Sequence, residues 1–121
     1  MRINQLVLIF TISFYTVQGQ INPLVTKDTL SQQGWVDQTY GQMSVDEKLG
    51  QLFMVMVTSD QDKASTEKTK KLIKEHHIGG VIFSTGGPVR QANLTNDFQR
   101  NSKVPLMIGM DAEWGLAMRL D

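Results

Sequence analysis

The stretch VPLMIGMDAEWGLAMRLD, residues 104–121, is the part of the sequence that decides the fold class. It begins with an apolar run of strand length, residues 104–110, in which apolar and polar residues do not alternate. Such a run is typical of a strand buried on both faces, as in a parallel sheet. The run ends at Asp111, and active sites of parallel α/β folds collect where strands end. The stretch therefore predicts a buried parallel strand that places Asp111 at the carboxyl edge of the sheet, where active sites occur.

Two more apolar runs of strand length come earlier in the chain, QLFMVMV at residues 51–57 and GGVIFS at residues 79–84. A helical pattern, STEKTKKLIKEHH at residues 65–77, separates the first run from the second. A second helical pattern at residues 88–100 begins with Pro88, which suits a first helical turn. The order is therefore β-α-β-α-β, and right-handed crossovers of this kind build a parallel sheet with helices outside.

Short helices are predicted upstream of the first strand. The segment from Gly34 to Tyr40 is a candidate short helix with Trp35 as its apolar anchor. Ser44 and Glu47 have the spacing of a capping box, which predicts a helix start at that point. The predicted fold class is α/β, with β-α-β-α-β preceded by short helices.

Three parallel strands with helices on their outer faces do not close a core. A doubly wound sheet has about five or more strands, and a TIM-type barrel has eight. We therefore expect the 121-residue chain to be the opening part of a larger α/β domain. Expressed alone, it is expected to be poorly folded and inactive.

The composition excludes several classes of function. Twelve basic and 12 acidic residues give a formal net charge of zero, so no footprint for nucleic acid or a membrane surface is present. The chain has no cysteine, which excludes a disulfide framework and a thiolate metal site. Neither a metal nor a cofactor is expected.

The N-terminal segment has the pattern of a secretory signal peptide. Arg2 is followed by an apolar stretch at residues 6–15 and then by small or neutral residues. The apolar stretch is shorter than the roughly 20 residues of a membrane-spanning helix. We therefore expect a signal peptide at residues 1–19, a leader segment at residues 20–33, and export to the periplasm or the extracellular space. No membrane contact beyond the signal peptide is expected.

Asp111 and Arg119 are the candidate functional residues, and each has an alternative interpretation. Asp111 is either a substrate ligand or catalytic carboxylate, or a turn residue that caps a helix. The planar fork of Arg119 suits a carboxylate, a phosphate or sugar hydroxyls, but the residue is also compatible with a solvent-facing ion pair. Glu113 is close to Asp111 in sequence, yet two acids without a following histidine make a poor metal site. His76 and His77 end a predicted helix, where histidines favourably meet the helix C-terminus.

Three stretches of the chain resemble, in order and spacing, the N-terminal portion of glycoside hydrolase family 3. They are MSVDEKLGQLFMV, IGGVIFSTGGPVRQANLTNDFQ and VPLMIGMDAEWGLAMRL. The chain is most similar to the β-N-acetylhexosaminidase branch, and the resemblance runs from about Trp35 to Asp121. It implies that residues 34–121 form the first part of a (β/α)₈ TIM-type barrel and supply its first three strands.

The resemblance gives Asp111 and Arg119 a common role. The family motif at the third strand is roughly Asp-x-Glu-Gly-Gly-x-Val-x-Arg, and here it reads Asp-Ala-Glu-Trp-Gly-Leu-Ala-Met-Arg at residues 111–119. The implied role of Asp111 is to accept hydrogen bonds from sugar hydroxyls in the cleavage subsite, and Arg119 contacts the same sugar or braces Asp111. Trp114 and Ala117 depart from the family's glycine and valine, so the loop shape and the sugar preference are open.

The catalytic groups of the family are not expected in this chain. The family's nucleophile is an aspartate on a late strand, and the acid/base of the hexosaminidase branch is a histidine on a loop after a middle strand. Both are expected downstream, and neither His76 nor His77 lies in the matching motif.

The implied function is that of a secreted retaining β-glycoside hydrolase that removes terminal β-N-acetylhexosamine residues, with a β-linked carbohydrate as its substrate. A β-glucosidase of the same family is one alternative. A non-catalytic carbohydrate-binding relative that keeps Asp111 and Arg119 is a second. A third, independent of the resemblance, is an open α/β phosphate-binding or receiver-like module.

Overall fold

The computed structural model describes residues 28–120, and within them the predicted order of elements is confirmed. The predicted signal peptide and most of the predicted leader segment lie outside the described residues. None of the helices in the described part has both the length and the apolar character that crossing a membrane requires. The elements are α1 (Thr29–Gln42), α2 (Val45–Gly50), β1 (Met54–Val57), α3 (Lys63–His76), β2 (Gly80–Phe83), α4 (Pro88–Asn101), β3 (Met107–Met110) and a short 3-10 turn (Leu116–Met118).

The first helix is longer and less buried than the sequence predicts. It begins at Thr29 rather than at Gly34, because the Asp28 side chain accepts a hydrogen bond from the Ser31 backbone N–H at 2.9 Å and caps it. Trp35 was expected to anchor this helix, but 55% of its surface is exposed. Helix α1 buries no residue, so the prediction of an apolar anchor is wrong within the described structure.

The capping box at the start of α2 is confirmed. The Ser44 hydroxyl accepts from the Glu47 backbone N–H at 3.2 Å, and the Glu47 carboxylate accepts from the Ser44 backbone N–H at 2.7 Å. The two bonds satisfy donors that the first helical turn leaves without partners. Helix α2 therefore starts where the sequence predicts, and the chain then turns directly into β1.

The three strands form one parallel sheet in the order β1-β2-β3. Helices α3 and α4 contact each other and pack on one face of it through Ile73 and Phe98, as right-handed crossovers require. Alternate strand residues point to this face, and Phe83 and Phe98 meet there with no exposed surface. The buried core consists of apolar residues from strands, helices and their connections: Val57, Ile73, Ile78, Val81, Phe83, Phe98 and Leu106.

The opposite face of the sheet is uncovered in the described residues. Met56 on β1 and Met107 on β3 are 73% and 71% exposed. The prediction that all three strands are buried on both faces is therefore wrong for β1 and β3 and holds best for the central strand β2. The physical reason is that both helices pack on one side, and the outer strands have a neighbour on one edge only. In a TIM-type barrel the second face of each strand points to the barrel interior.

Candidate functional site

The loops that follow the three strands are joined by backbone hydrogen bonds at the carboxyl edge of the sheet. The Ser59 N–H, after β1, donates to the Thr85 carbonyl, after β2, at 3.0 Å. The Gly86 N–H then donates to the Arg119 carbonyl at 3.0 Å. The segment after β3 is thus attached to the β2–α4 loop, and that loop is attached to the β1–α3 loop.

Asp111 and Arg119, the two residues predicted to form a site, are in direct contact. The Arg119 Nε donates to the Asp111 carbonyl at 2.5 Å, and its Nη2 donates to Asp111 Oδ2 at 3.2 Å. One planar guanidinium therefore holds both the backbone and the carboxylate of the acid. Because Asp111 directly follows β3, the pair lies at the edge where active sites of parallel α/β folds collect.

The Asp111 carboxylate retains capacity for a ligand. Its side chain is 67% exposed, whereas that of Arg119 is 24% exposed. Within residues 28–120, Arg119 supplies the hydrogen bond that the carboxylate accepts. An ionised carboxylate offers about four acceptor positions, so most of them remain available to donors such as sugar hydroxyls.

The segment between the two residues is a tight loop with an exposed tryptophan. Gly115 accepts a positive φ of 95°, which glycine adopts without steric cost, and its N–H donates to the Ala112 carbonyl at 2.9 Å. Trp114 precedes it, and 85% of its surface is exposed. Its backbone N–H donates to the sulfur of Met118 at 3.3 Å, so the turn closes on itself. The tryptophan is accommodated because its exposed side chain needs no space inside the loop.

The other polar candidates do not join this pair. Glu113 makes no hydrogen bond or ion pair to Asp111 among the described residues. The same part of the chain contains no group of three or more His, Cys, Asp or Glu side chains placed to hold a metal. His77 follows α3 in a left-handed conformation, just before β2, so it lies at the amino edge of the sheet. That edge is opposite to Asp111.

The amino edge carries its own charge cluster, which has a structural role. Lys103 Nζ lies 2.7 Å from Glu47 Oε1, and the His77 Nε2 is 3.8 Å from the same oxygen. The hydrogen bond from Lys103, followed by the one from the Ser44 backbone, lowers the pKa of Glu47 from 4.5 to about 2. The cluster joins the capping box of α2 to the loop before β3 and is remote from the candidate site.

Two residues at the carboxyl edge were missed by the sequence reasoning, Ser59 and Gly86. Both belong to the network that holds Arg119. A lone serine after a strand carries no specific signal. The glycine pair before Pro88 lacks the pattern of a phosphate-binding loop, and nothing in it predicts a contact with the segment after β3. An open pocket of about 180 Å³ lies beside this network and is lined by Asp60, Thr85 and Arg119 among others.

The family of this chain is shown by comparison with known protein families. Residues 44–121 match the family model described as the glycosyl hydrolase family 3 N terminal domain. This chain belongs to glycoside hydrolase family 3. The match includes all three strands and both residues of the Asp111–Arg119 pair. The predicted family and fold class, an α/β chain that forms part of a TIM-type barrel, are confirmed.

Two relatives of the family 3 chain are informative. The β-N-acetylglucosaminidase/β-glucosidase of Cellulomonas fimi is 37% identical over 82 residues, which cover 67% of this chain and 14% of that protein. The solved structure of the β-glucoside phosphorylase BglX bound to 2FGlc has 27% identity and a TM-score of 0.56. That similarity covers 73% of this chain and 17% of BglX. The family 3 chain thus spans a small part of the length of either relative.

Proposed function

We propose that this chain supplies one wall of the sugar subsite in an exported, retaining β-glycosidase that removes terminal β-N-acetylhexosamine residues. The observation that carries the proposal is the Asp111–Arg119 pair at the carboxyl edge of a family 3 sheet. The family assignment supports a carbohydrate substrate. The β-N-acetylglucosaminidase activity in the name of the Cellulomonas fimi relative supports the N-acetylated sugar.

The proposed role of Asp111 is to bind and orient the sugar. Its carboxylate accepts hydrogen bonds from hydroxyls, and such charge-assisted bonds are shorter and stronger than neutral ones. Arg119 fixes the direction of the carboxylate by holding both the main-chain carbonyl and Oδ2. A contact that is stronger in the transition state than in the ground state raises the rate as well as the affinity.

The bond-breaking groups are proposed to lie in parts of the protein that follow this chain. A retaining glycosidase uses one carboxylate as nucleophile to form a glycosyl-enzyme, and a second group as acid and then as base. The residues described here contribute binding and orientation to that sequence of steps. The signal-peptide pattern at residues 1–19 supports the proposal that the enzyme acts outside the cytoplasm.

A β-glucosidase of the same family is the second candidate. The name of the Cellulomonas fimi relative includes both activities, and the BglX structure is that of a β-glucoside phosphorylase. Trp114 stands where the family motif has glycine, three residues after Asp111. A bulky exposed ring at that position is a source of altered sugar preference in either direction.

Kinetics on the full-length protein that contains this chain test the proposal. Hydrolysis of an aryl N-acetyl-β-glucosaminide and of an aryl β-glucoside is measured with and without inorganic phosphate. We expect faster hydrolysis of the N-acetylated substrate, with no dependence on phosphate. Preference for the glucoside would favour the β-glucosidase, and a phosphate-dependent sugar phosphate product would favour a phosphorylase. Sugar binding without turnover would indicate a non-catalytic relative.

The Asp111→Ala variant tests the site within the same experiment. Loss of two hydrogen bonds to a charged group costs about 1.5–3 kcal/mol each. Together they correspond to a fall in kcat/KM of about 150- to 25,000-fold. A folded variant with wild-type kinetics on both substrates would show that Asp111 is a turn residue and that the sugar subsite lies elsewhere.

A further inference from the structure

Ser59 is a buried polar residue that the proposed mechanism does not use. It follows β1, and 5% of its surface is exposed. Among the described residues, Thr69 is the other buried polar side chain, with 7% exposure. The hydroxyl of Thr69 donates to the Ser65 carbonyl within its own helix, whereas Ser59 contacts a different loop. A buried hydroxyl needs a partner, so the choice of partner indicates what the residue holds in place.

Ser59 holds the β2–α4 loop at two points. Its backbone N–H donates to the Thr85 carbonyl at 3.0 Å, and its Oγ donates to the Gly87 carbonyl at 3.2 Å. These two carbonyls flank Gly86. Ser59 therefore bonds to the peptide unit that precedes Gly86 and to the one that follows Gly87.

Gly86 connects this anchor to the sugar-binding pair. Its N–H donates to the Arg119 carbonyl at 3.0 Å. Its φ is 117°, a value that residues with a side chain rarely adopt. A Cβ placed on Gly86 would overlap the Ser59 hydroxyl, so serine and glycine approach as closely as they do only because the glycine has no side chain.

The segment that carries Arg119 has little else to hold it. The 3-10 turn before Arg119 buries no residue. Among the described residues, two sets of hydrogen bonds connect Arg119 to the sheet edge: the one from Gly86 to its carbonyl, and those from its guanidinium to Asp111. The position of the guanidinium therefore depends on both sets.

We propose that Ser59 is a positioning residue for the sugar subsite, acting through Gly86 on Arg119 and so on the direction of the Asp111 carboxylate. This inference rests on the proposed function, because the effect is read out as sugar turnover. The competing explanation is that Ser59 only closes a turn between two loops and stabilises the fold. The two differ in whether its effect on activity depends on Arg119.

The experiment compares Ser59→Ala with Thr69→Val in the full-length protein. Each change removes one buried hydroxyl that donates to a backbone carbonyl, but Thr69 lies on α3 and has no bond to the Gly86–Arg119 connection. We expect both to lower the melting temperature. Only Ser59→Ala is expected to lower kcat/KM, by about tenfold, since a small misplacement of a binding group is costly in rate.

A double-mutant cycle with Arg119→Ala decides between positioning and folding. If Ser59 acts through the guanidinium, then Ser59→Ala has little further effect on kcat/KM once Arg119 is alanine. Equal fold losses in both backgrounds would overturn the proposal, as would unchanged kinetics in a folded Ser59→Ala enzyme. If Ser59→Ala does not fold, Ser59→Cys replaces it, because the thiol is a weak donor of similar size. A folded Ser59→Cys enzyme with wild-type kinetics would equally overturn the proposal.

The results distinguish a failure of the proposed function from a failure of the positioning role of Ser59. If the wild-type protein neither hydrolyses nor binds any glycoside, the proposed function fails and the positioning role fails with it. If the wild type is active and Asp111→Ala is impaired, the proposed function stands. Ser59 alone is then refuted by an uncoupled cycle or supported by a coupled one.

Discussion

Replacing Arg119 by lysine keeps the charge and removes the planar fork, so it tests the geometry of the site. Arg119 donates from Nε to the Asp111 carbonyl and from Nη2 to its carboxylate. Lysine has one nitrogen in place of this fork and loses at least one of the two bonds. A hydrogen bond to a charged group is worth about 1.5–3 kcal/mol. Because the Asp111 side chain is 67% exposed, solvent screening favours the lower end of that range.

The expected result is a fall in kcat/KM of about tenfold for Arg119→Lys, since 1.36 kcal/mol corresponds to a factor of about ten. Arg119→Ala removes both bonds and is expected to cost about a hundredfold. Combination with Asp111→Ala should cost less than the sum, because both residues act on one substrate. Steady-state kinetics on the preferred aryl glycoside measure each value.

A matched arginine in the same chain provides the control. Arg100 on α4 lies 3.3 Å from Asp97, a distance close to that of the Arg119–Asp111 pair, but its side chain is 69% exposed. Arg100→Lys should leave kcat/KM unchanged, since exposed ion pairs contribute about 0–1 kcal/mol. Arg100 also lies near the end of α4, away from the carboxyl edge of the sheet where Asp111 lies. Wild-type kinetics for Arg119→Lys would place Arg119 in the same class and would remove it from the sugar subsite.

Three further predictions concern stability. In the full-length protein, Phe98→Ala should lower the free energy of unfolding by about 3–5 kcal/mol, because Phe98 has no exposed surface in the helix-covered core. A loss below about 1 kcal/mol in chemical denaturation would contradict this packing. The pKa of Glu47 is lowered in the folded state, so its stabilisation is complete above pH 4.5 and disappears as the pH falls toward about 2. Glu47→Gln should weaken the dependence of the melting temperature on pH over that interval. A variant with the pH dependence of the wild type would exclude a contribution from the lowered pKa of Glu47. The 121-residue chain alone should bind a hydrophobic dye and melt without a cooperative transition, whereas a sharp melt of a soluble monomer would contradict this.

Local signals in the sequence predicted most of the elements, and they singled out Asp111 and Arg119, which are in contact. The capping box required only Ser44 and Glu47 at the correct spacing, and both of its bonds are present. The site prediction relied on Asp111 following an apolar run and on Arg119 at the family's spacing, and the two side chains are in contact. That contact shows only that they are neighbours, so their binding of sugar stays a prediction.

Non-local features could not be predicted in the same way. The sequence of an apolar strand does not show which of its faces a helix will cover. The predicted burial of β1 and β3 is therefore higher than the observed burial. Ser59 gave no signal because its function depends on a loop 28 residues away in sequence. The start of α1 was different, since Asp28 and Ser31 form a recognisable cap that was overlooked.

The uncovered face of the sheet shows how the same strands provide for both packing and the site. On that face Gly80 lies between Met54 and Met107 in the parallel register. A Cβ on Gly80 would lie 2.9 Å from the Met54 terminal methyl, and one on Gly109 would lie 3.5 Å from the same atom. The Met54 side chain therefore extends over Gly80 and Gly109 on the neighbouring strands, where the absence of a side chain leaves room for it. Such alternation of large and small side chains suits the layered interior of a barrel. Because Asp111 directly follows β3, the place of this strand in the sheet determines where the Asp111 backbone lies at the carboxyl edge, and Arg119 then holds the carboxylate.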